Sequence, residues 1–219
     1  MMKKTIAILL SLVMILGLAA CGNSASQTEQ PSTEDTSVES KADTESAENG
    51  TDVENTDNQD VQNHKALVAY FSATGTTKGV AEHIANGLNA DIYEIVPEEP
   101  YTDADLDYND NNSRTTIEMN DPDARPTIYG SVENMEQYDI VFIGYPIWWG
   151  EAPRIVSTFV ESYDFSGKTI VPFCTSGGSG MGSSAANLEQ LTNGAQWLSG
   201  ERLSGSASQD EVMEWVNGL

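Results

Sequence analysis

Apolar positions along this chain fall into short continuous runs separated by amphipathic stretches. Lys65-Ala-Leu-Val-Ala-Tyr-Phe71 has the length and continuity of a buried strand. After a turn, Val80, Ile84 and Leu88 recur at i, i+4 and i+8 with Ala81 and Ala85 beside them, which predicts a helix. Asp91-Ile-Tyr-Glu-Ile-Val96 alternates as a second short strand. Asp139-Ile-Val-Phe-Ile-Gly144 and Lys168-Thr-Ile-Val-Pro-Phe173 are again continuous apolar runs, and Gln196 to Leu203 holds a short last strand. Helical faces follow over Arg154 to Tyr163 (Ile155, Phe159 and Val160 on one side), Ser183 to Leu191 and Gln209 to Asn217. Pro97 to Pro126 is polar and irregular. Its 30 residues are too many for a bare connection, so it is expected to carry order of its own. Ser113 to Met119 is the expected short helix there, with Ser113 as N-cap.

Strand and helix alternate, and the strands lack a polar face. That predicts an α/β domain: a doubly wound, five-stranded parallel sheet with helices on both faces. Ligands of such sheets sit beyond the carboxyl ends of the strands, near the switch in strand order. Three loops belong there: Ser72–Thr77, Tyr145–Pro153 and Cys174–Gly182.

The chain before this domain has another character. Lys3 and Lys4 precede an apolar run from Ile6 to Leu18, shorter than the about 18 or more residues of a membrane span. It reads as a signal segment ending in small residues. The Leu18-Ala-Ala-Cys21 ending resembles the lipobox of bacterial lipoproteins. That resemblance implies a signal peptide over residues 1–20 and diacylation of Cys21; the alternative is an ordinary secretory signal. Residues 21–64 are rich in Ser, Thr, Asn and Gln and hold 11 acidic side chains against Lys41. Such a segment buries too little apolar surface to offset its ordering entropy and is expected to be a disordered tether. A docking site for a basic partner is the alternative there.

The full chain carries a formal net charge of −24. The domain over residues 65–219 keeps 23 acidic and seven basic side chains, a net charge of −16. Nucleic-acid binding needs a basic footprint and is excluded on that ground. Two cysteines, Cys21 and Cys174, are too few for a disulfide framework. Cys174 has no histidine near it in sequence and reads as a buried, inert thiol.

Each loop carries its own chemistry. Ser72-Ala-Thr-Gly-Thr-Thr77 sets hydroxyls and backbone N–H groups at a helix N-terminus, an anion site. It has neither the lysine of a P-loop nor the Gly-x-Gly-x-x-Gly of a dinucleotide fold, and Gly177-Gly-Ser-Gly-Met-Gly182 does not fit the latter either. Lys78 is expected exposed, without a role. Tyr145-Pro-Ile-Trp-Trp-Gly150 offers two adjacent tryptophans, of which at most one is fully core; the other is free to stack on a planar ligand. Cys174-Thr-Ser-Gly-Gly-Ser-Gly180 allows backbone to approach a polar ring edge. A phosphorylated, flat, aromatic cofactor fits all three. No residue reads as a catalytic acid, base or nucleophile, His64 and His83 included, and no metal-ligand pattern is present.

Ser72-x-Thr74-Gly75-x-Thr77 after the first strand resembles the phosphate loop of flavodoxins. The Trp-Trp loop and the Phe173-Cys-Thr-Ser-Gly-Gly-Ser-Gly180 loop look like the two flavin-embracing loops of that family. The resemblance covers residues 65–219 and is nearest to flavodoxin-like bacterial lipoproteins. It implies FMN as cofactor. Within Ser72, Ala73, Thr74, Gly75, Thr76 and Thr77, the hydroxyls of Ser72, Thr74 and Thr77 and the amides of Gly75 and Thr76 would hold the phosphate. Pro146 and Ile147 would lie along the ribityl chain. Trp148 or Trp149 would stack on the isoalloxazine, the spacing to Gly150 favouring Trp149. Thr175, Ser176, Gly177, Gly178 and Ser179 would approach the pyrimidine end. The tyrosine that many flavodoxins stack from the third loop is missing, with Met181 as the nearest substitute. The implied function is electron transfer outside the cytoplasm, at the cell membrane through the lipid on Cys21, with a redox partner protein or a small electron donor or acceptor. Two other readings stay open: an FMN-dependent oxidoreductase passing electrons from NAD(P)H to a quinone or other acceptor, and a non-catalytic binding or sensing module.

Overall fold

A computed structural model describes residues 64–219. The expected signal peptide, Cys21 and nearly all of the tether lie outside the described residues. The elements in chain order are β1 (Ala66–Tyr70), α1 (Thr76–Leu88), β2 (Asp91–Glu94), β3 (Val96–Pro97), α2 (Arg114–Asn120), β4 (Ile128–Tyr129), β5 (Ile140–Pro146), α3 (Arg154–Glu161), β6 (Thr169–Thr175), α4 (Ser184–Glu189), β7 (Gln196–Trp197), β8 (Glu201–Arg202) and α5 (Gln209–Val216).

The main sheet runs β2-β1-β5-β6-β7, with β8 also on β6, and every pairing in it is parallel. β7 and β8 are two pieces of one edge strand. Lys168, Ile170 and Cys174 accept backbone bonds from Gln196, Leu198 and Leu203. Pro172 occupies the same edge between Ile170 and Cys174 and has no N–H to give, which accounts for the break. The expected five-stranded sheet is therefore present, with its last strand interrupted.

The central strands β1, β5 and β6 are nearly continuous apolar runs because both faces are covered. Leu67, Ala69 and Phe71 alternate with Val68 and Tyr70; Val141, Ile143 and Tyr145 alternate with Phe142. The first set packs under α3 and α4 through Ile155, Val156, Phe159 and Leu188. The second packs under α1 and α5 through Val80, Ala81, Ile84, Val212 and Val216. Leu88, expected on the buried face of α1, is half-exposed at the helix end, where Asn89 turns left-handed at φ 50°.

Two strands are longer than the apolar runs suggested. The β5–β6 ladder continues through Tyr145↔Cys174 and Pro146↔Thr175, so these residues are strand, not loop. The polar segment after β2 contributes β3 and β4, which pair antiparallel as a small second sheet, and α2, capped by Ser113 as expected.

The chain steps from β1 outward to β2, then returns to the other side of β1 as β5. This reversal puts the loops after β1 and β5 side by side at the carboxyl edge, where an open α/β sheet binds its ligands. Gly144 in β5 lies under the Phe173 ring of β6, and a Cβ there would overlap that ring. Gly144→Ala is expected to cost about 1–3 kcal/mol through overpacking, read as a lower urea midpoint at unchanged slope. An unchanged midpoint contradicts this packing.

Candidate functional site

The loop after β1 leaves a helix start unfinished. Gly75, the N-cap of α1, sits at φ 84° and no side chain caps the helix. Among the described residues, none accepts a hydrogen bond from the N–H groups of Ser72 through Lys78. The first turn of α1 holds no carboxylate. α5 shows the contrast: Ser208 and Glu211 form a full capping box, and Asp210 and Glu211 occupy its first turn. An uncapped N-terminus concentrates partial positive charge and free donors, the requirement for an anion. Lys78 pairs with Glu94 at 3.4 Å and stays out of this arrangement.

The hydroxyls of the loop divide into two roles. Thr74 and Thr76 are exposed, with their Oγ1 atoms 3.3 Å apart. Ser72 and Ala73 are half-buried. Thr77 is buried, and its Oγ1 lies 2.9 Å from Oγ1 of Thr175, also buried. The Thr77 hydroxyl thus ties the first loop to β6 and the third loop.

The second loop ends in a tight turn. Trp148 N–H donates to Glu151 O and Glu151 N–H to Trp148 O, both at 2.9 Å. Trp149 at φ 48° and Gly150 at φ 84° are its central residues, the signature of a type I′ turn. Glycine accepts such a backbone freely, whereas a non-glycine residue there costs about 1–3 kcal/mol. Trp149 carries that cost and is 48% exposed. Trp148 points the other way, edge-on to Phe71 and Tyr101 at 5.5 Å each. The two tryptophans therefore separate as expected, one toward the core and one free. Ile147 N–H is held by Thr175 O at 2.9 Å.

These loops line one cleft of about 180 Å³. Ser72, Ala73, Thr74, Thr76 and Thr77 supply its first side; Pro146, Trp148 and Trp149 supply its second. Leu106, Tyr108 and Thr115 supply a third, from the polar segment after β3. These three carry no motif and fall in an aperiodic stretch, so sequence reasoning missed them. The third loop stands beside the cleft. Ser176 turns its hydroxyl back to Ser179 O and takes the N–H of Gly178, while Gly177, Gly178 and Ser179 are exposed. Gly150 and Ile147 do not line the cleft; they shape the turn and strand that do. Met181, the substitute ring contact, lies over Gly200 of the edge strand instead. Cys174 is fully buried, and burial pushes its thiol up to about 11, as suits an inert side chain.

A doubly wound parallel sheet with an acceptor-free helix start and an exposed aromatic at its switch point defines a nucleotide-type α/β binding protein. Residues 65–219 match the family model for flavodoxin, and the chain belongs to the flavodoxin family. Two solved structures are similar over nearly their whole length. One is a candidate flavoprotein of Bacteroides eggerthii DSM 20697, 49% identical, covering 71% of this chain and 98% of that one with a TM-score of 0.68. The other is a candidate flavoprotein of Bacteroides uniformis ATCC 8492, 45% identical, covering 70% and 98% with a TM-score of 0.68. A flavoprotein of Lactobacillus acidophilus NCFM, solved in complex with FMN, shares the fold at 23% identity and a TM-score of 0.53, covering 70% of this chain and 99% of that one. No curated protein matches the chain.

Thr77→Val leaves the buried Thr175 hydroxyl without its partner. The expected cost is about 1–3 kcal/mol in urea unfolding, most of it recovered when Thr175→Val is added. Equal and additive losses in the two single variants and the double contradict a shared hydrogen bond.

Proposed function

We propose that this chain is an FMN-binding electron carrier, held outside the cytoplasm at the cell membrane by a lipid on Cys21. The observation that carries this reading is one cleft flanked by a helix N-terminus without acceptors and a strained, exposed tryptophan. The FMN complex of the Lactobacillus acidophilus flavoprotein supports the choice of ligand.

The residues present fit the group. The N–H groups of the first loop and the exposed hydroxyls of Thr74 and Thr76, with Ser72 beside them, hold the phosphate; the Thr77–Thr175 bond orients the loop that presents them. Each hydrogen bond to a charged group is worth about 1.5–3 kcal/mol. Exposed carboxylates farther than about 8 Å are largely screened. Several local donors therefore outweigh the domain's overall negative charge. Pro146 would lie along the ribityl chain, Trp149 would cover one face of the ring, and the free amides of Gly177 and Ser179 would approach its polar edge. Bound FMN supplies the uptake and release of electrons one or two at a time. The cleft lining carries no cation to offset added negative charge, which disfavours the anionic reduced flavin and holds its reduction potential down.

No Lys, Arg, His, Asp, Glu or Cys is among the residues lining the cleft. With the first-loop donors committed to the FMN phosphate, the lining has no cation to grip the phosphates of a nicotinamide dinucleotide, which favours carriage over a reductase with its own substrate site. The FMN-loaded protein is expected to stay oxidised with NADH or NADPH alone, to bleach with dithionite, and then to reduce a one-electron acceptor. Bleaching by NADH within seconds in stopped flow contradicts the carrier reading.

The location rests on the Leu18-Ala-Ala-Cys21 ending and the acidic tether. Cells fed labelled palmitate are expected to mark the wild-type chain in the membrane fraction and leave Cys21→Ala unmarked. Equal label in both, or in neither, contradicts the anchor.

A further inference from the structure

The segment between β3 and β4 is acidic, yet it borders the side of the cleft read as the phosphate end. Five of the eleven residues lining that cleft come from Ser72–Thr77, whereas Thr175–Ser179 contributes none. A phosphate beside Asp103, Asp105, Asp107 and Asp110 would be repelled unless those carboxylates were turned away. Local bonds hold three of the four, Asp105, Asp107 and Asp110. Asp105 accepts from Thr102 N–H at 2.8 Å and Thr102 Oγ1 at 2.7 Å. Asp107 accepts from Asn109 N–H at 2.9 Å, and Asp110 from Asn112 N–H at 2.8 Å. In Asp105-Leu-Asp-Tyr108 the acids bond within their own turns, and the neutral side chains, Leu106 and Tyr108, line the cleft.

This wall is pinned in place. Thr115 N–H and Oγ1 both donate to Asp105 O, at 3.1 and 2.6 Å. The Tyr101 ring packs edge-on against Phe71 at 5.8 Å and Trp148 at 5.5 Å, under the Arg114 guanidinium at 4.1 Å. Its hydroxyl donates to Glu118 at 2.6 Å. The segment is thus fastened to the strand before the first loop and to the second loop, the two elements that frame the cleft. Tyr108 rides on it, 74% exposed, and pairs with no other aromatic ring among the described residues.

We propose that Tyr108, with Leu106 beside it, closes the phosphate end of the cleft, so that the site takes a flavin mononucleotide and rejects a flavin extended by adenylate. The inference rests on the flavin reading above. FAD carries an adenylate beyond its first phosphate; with that phosphate at Ser72–Thr77, the adenylate would meet Leu106 and Tyr108, which line the same cleft. Selectivity here is an obstacle raised against the longer ligand, not an added contact to the shorter one. Trp149 and the third loop, which meet the ring, play no part in that choice.

The test titrates the full chain, wild type and Tyr108→Ala, with FMN, FAD and riboflavin. The wild type is expected to prefer FMN over FAD, and the variant to lose about tenfold or more of that preference. Riboflavin, which has no phosphate to extend, is expected to bind both proteins alike. Tyr108→Phe, which keeps the ring, is expected to keep the wild-type preference. A wild type that binds FMN and shows the same FMN-to-FAD ratio as Tyr108→Ala overturns the inference alone. So does a fall in riboflavin affinity as large as any fall for FMN, which would place Tyr108 on the ring, or a loss of preference in Tyr108→Phe. A wild type that binds none of the three overturns the flavin reading and this inference together. Tyr108 is exposed, so its replacement leaves the fold intact for each measurement.

Discussion

The N-terminus of α1 is the constraint around which the rest of the site is arranged. A helix start leaves N–H groups that need acceptors. At the start of α5, Ser208 and Glu211 supply them. At α1 the Gly75 cap supplies none, and the first turn is kept free of carboxylates in a domain that carries 23. Neighbouring charges are disposed to leave this end open to an anion: Lys78 pairs outward with Glu94, and Asp105 and Asp107 are bonded within their own turns. The sheet order then decides what else can reach the same point. Because β5 returns to the inner side of β1, the Trp148–Glu151 turn stands next to the helix start.

Strain and burial are divided between the two tryptophans in a way that adjacent positions make possible. Trp148 contributes to stability by packing on Phe71 and Tyr101. Trp149 works against stability, on a left-handed backbone that glycine or asparagine would accept more easily, and is half-exposed. A residue kept in a costly conformation beside a cleft points to a ligand contact rather than to a packing role. The Thr77–Thr175 bond has the opposite character. It is buried, and it ties the first turn of α1 to the end of β6.

Much of the fold was legible because a parallel sheet buried on both faces forces continuous apolar runs, and β1, β5 and β6 show them plainly. The ends of β5 and β6 were not legible: Tyr145, Pro146, Cys174 and Thr175 look like loop residues, and only the ladder between the two strands makes them strand. The break between β7 and β8 follows from Pro172 on the neighbouring strand, a cause that lies some thirty residues away in sequence. In the site, the first loop and the tryptophan pair were legible from residue type and spacing. The wall of Leu106, Tyr108 and Thr115 was not. It has no periodicity, and its position comes from Tyr101 docking on two other elements. The role of Thr77 was also hidden, since its hydroxyl meets a residue far along the chain instead of lining up with Thr74 and Thr76.

The central claim is that this helix start and Trp149 together hold a flavin by its phosphate and its ring. Titrating the flavin-free protein with FMN tests it most directly, by the quenching of flavin fluorescence and the shift of the flavin absorbance bands. One FMN bound per chain is expected, with affinity lowered about tenfold or more in Trp149→Ala, in keeping with the worth of an aromatic stack. A wild-type chain that leaves the FMN spectrum unchanged at saturating concentration contradicts the account.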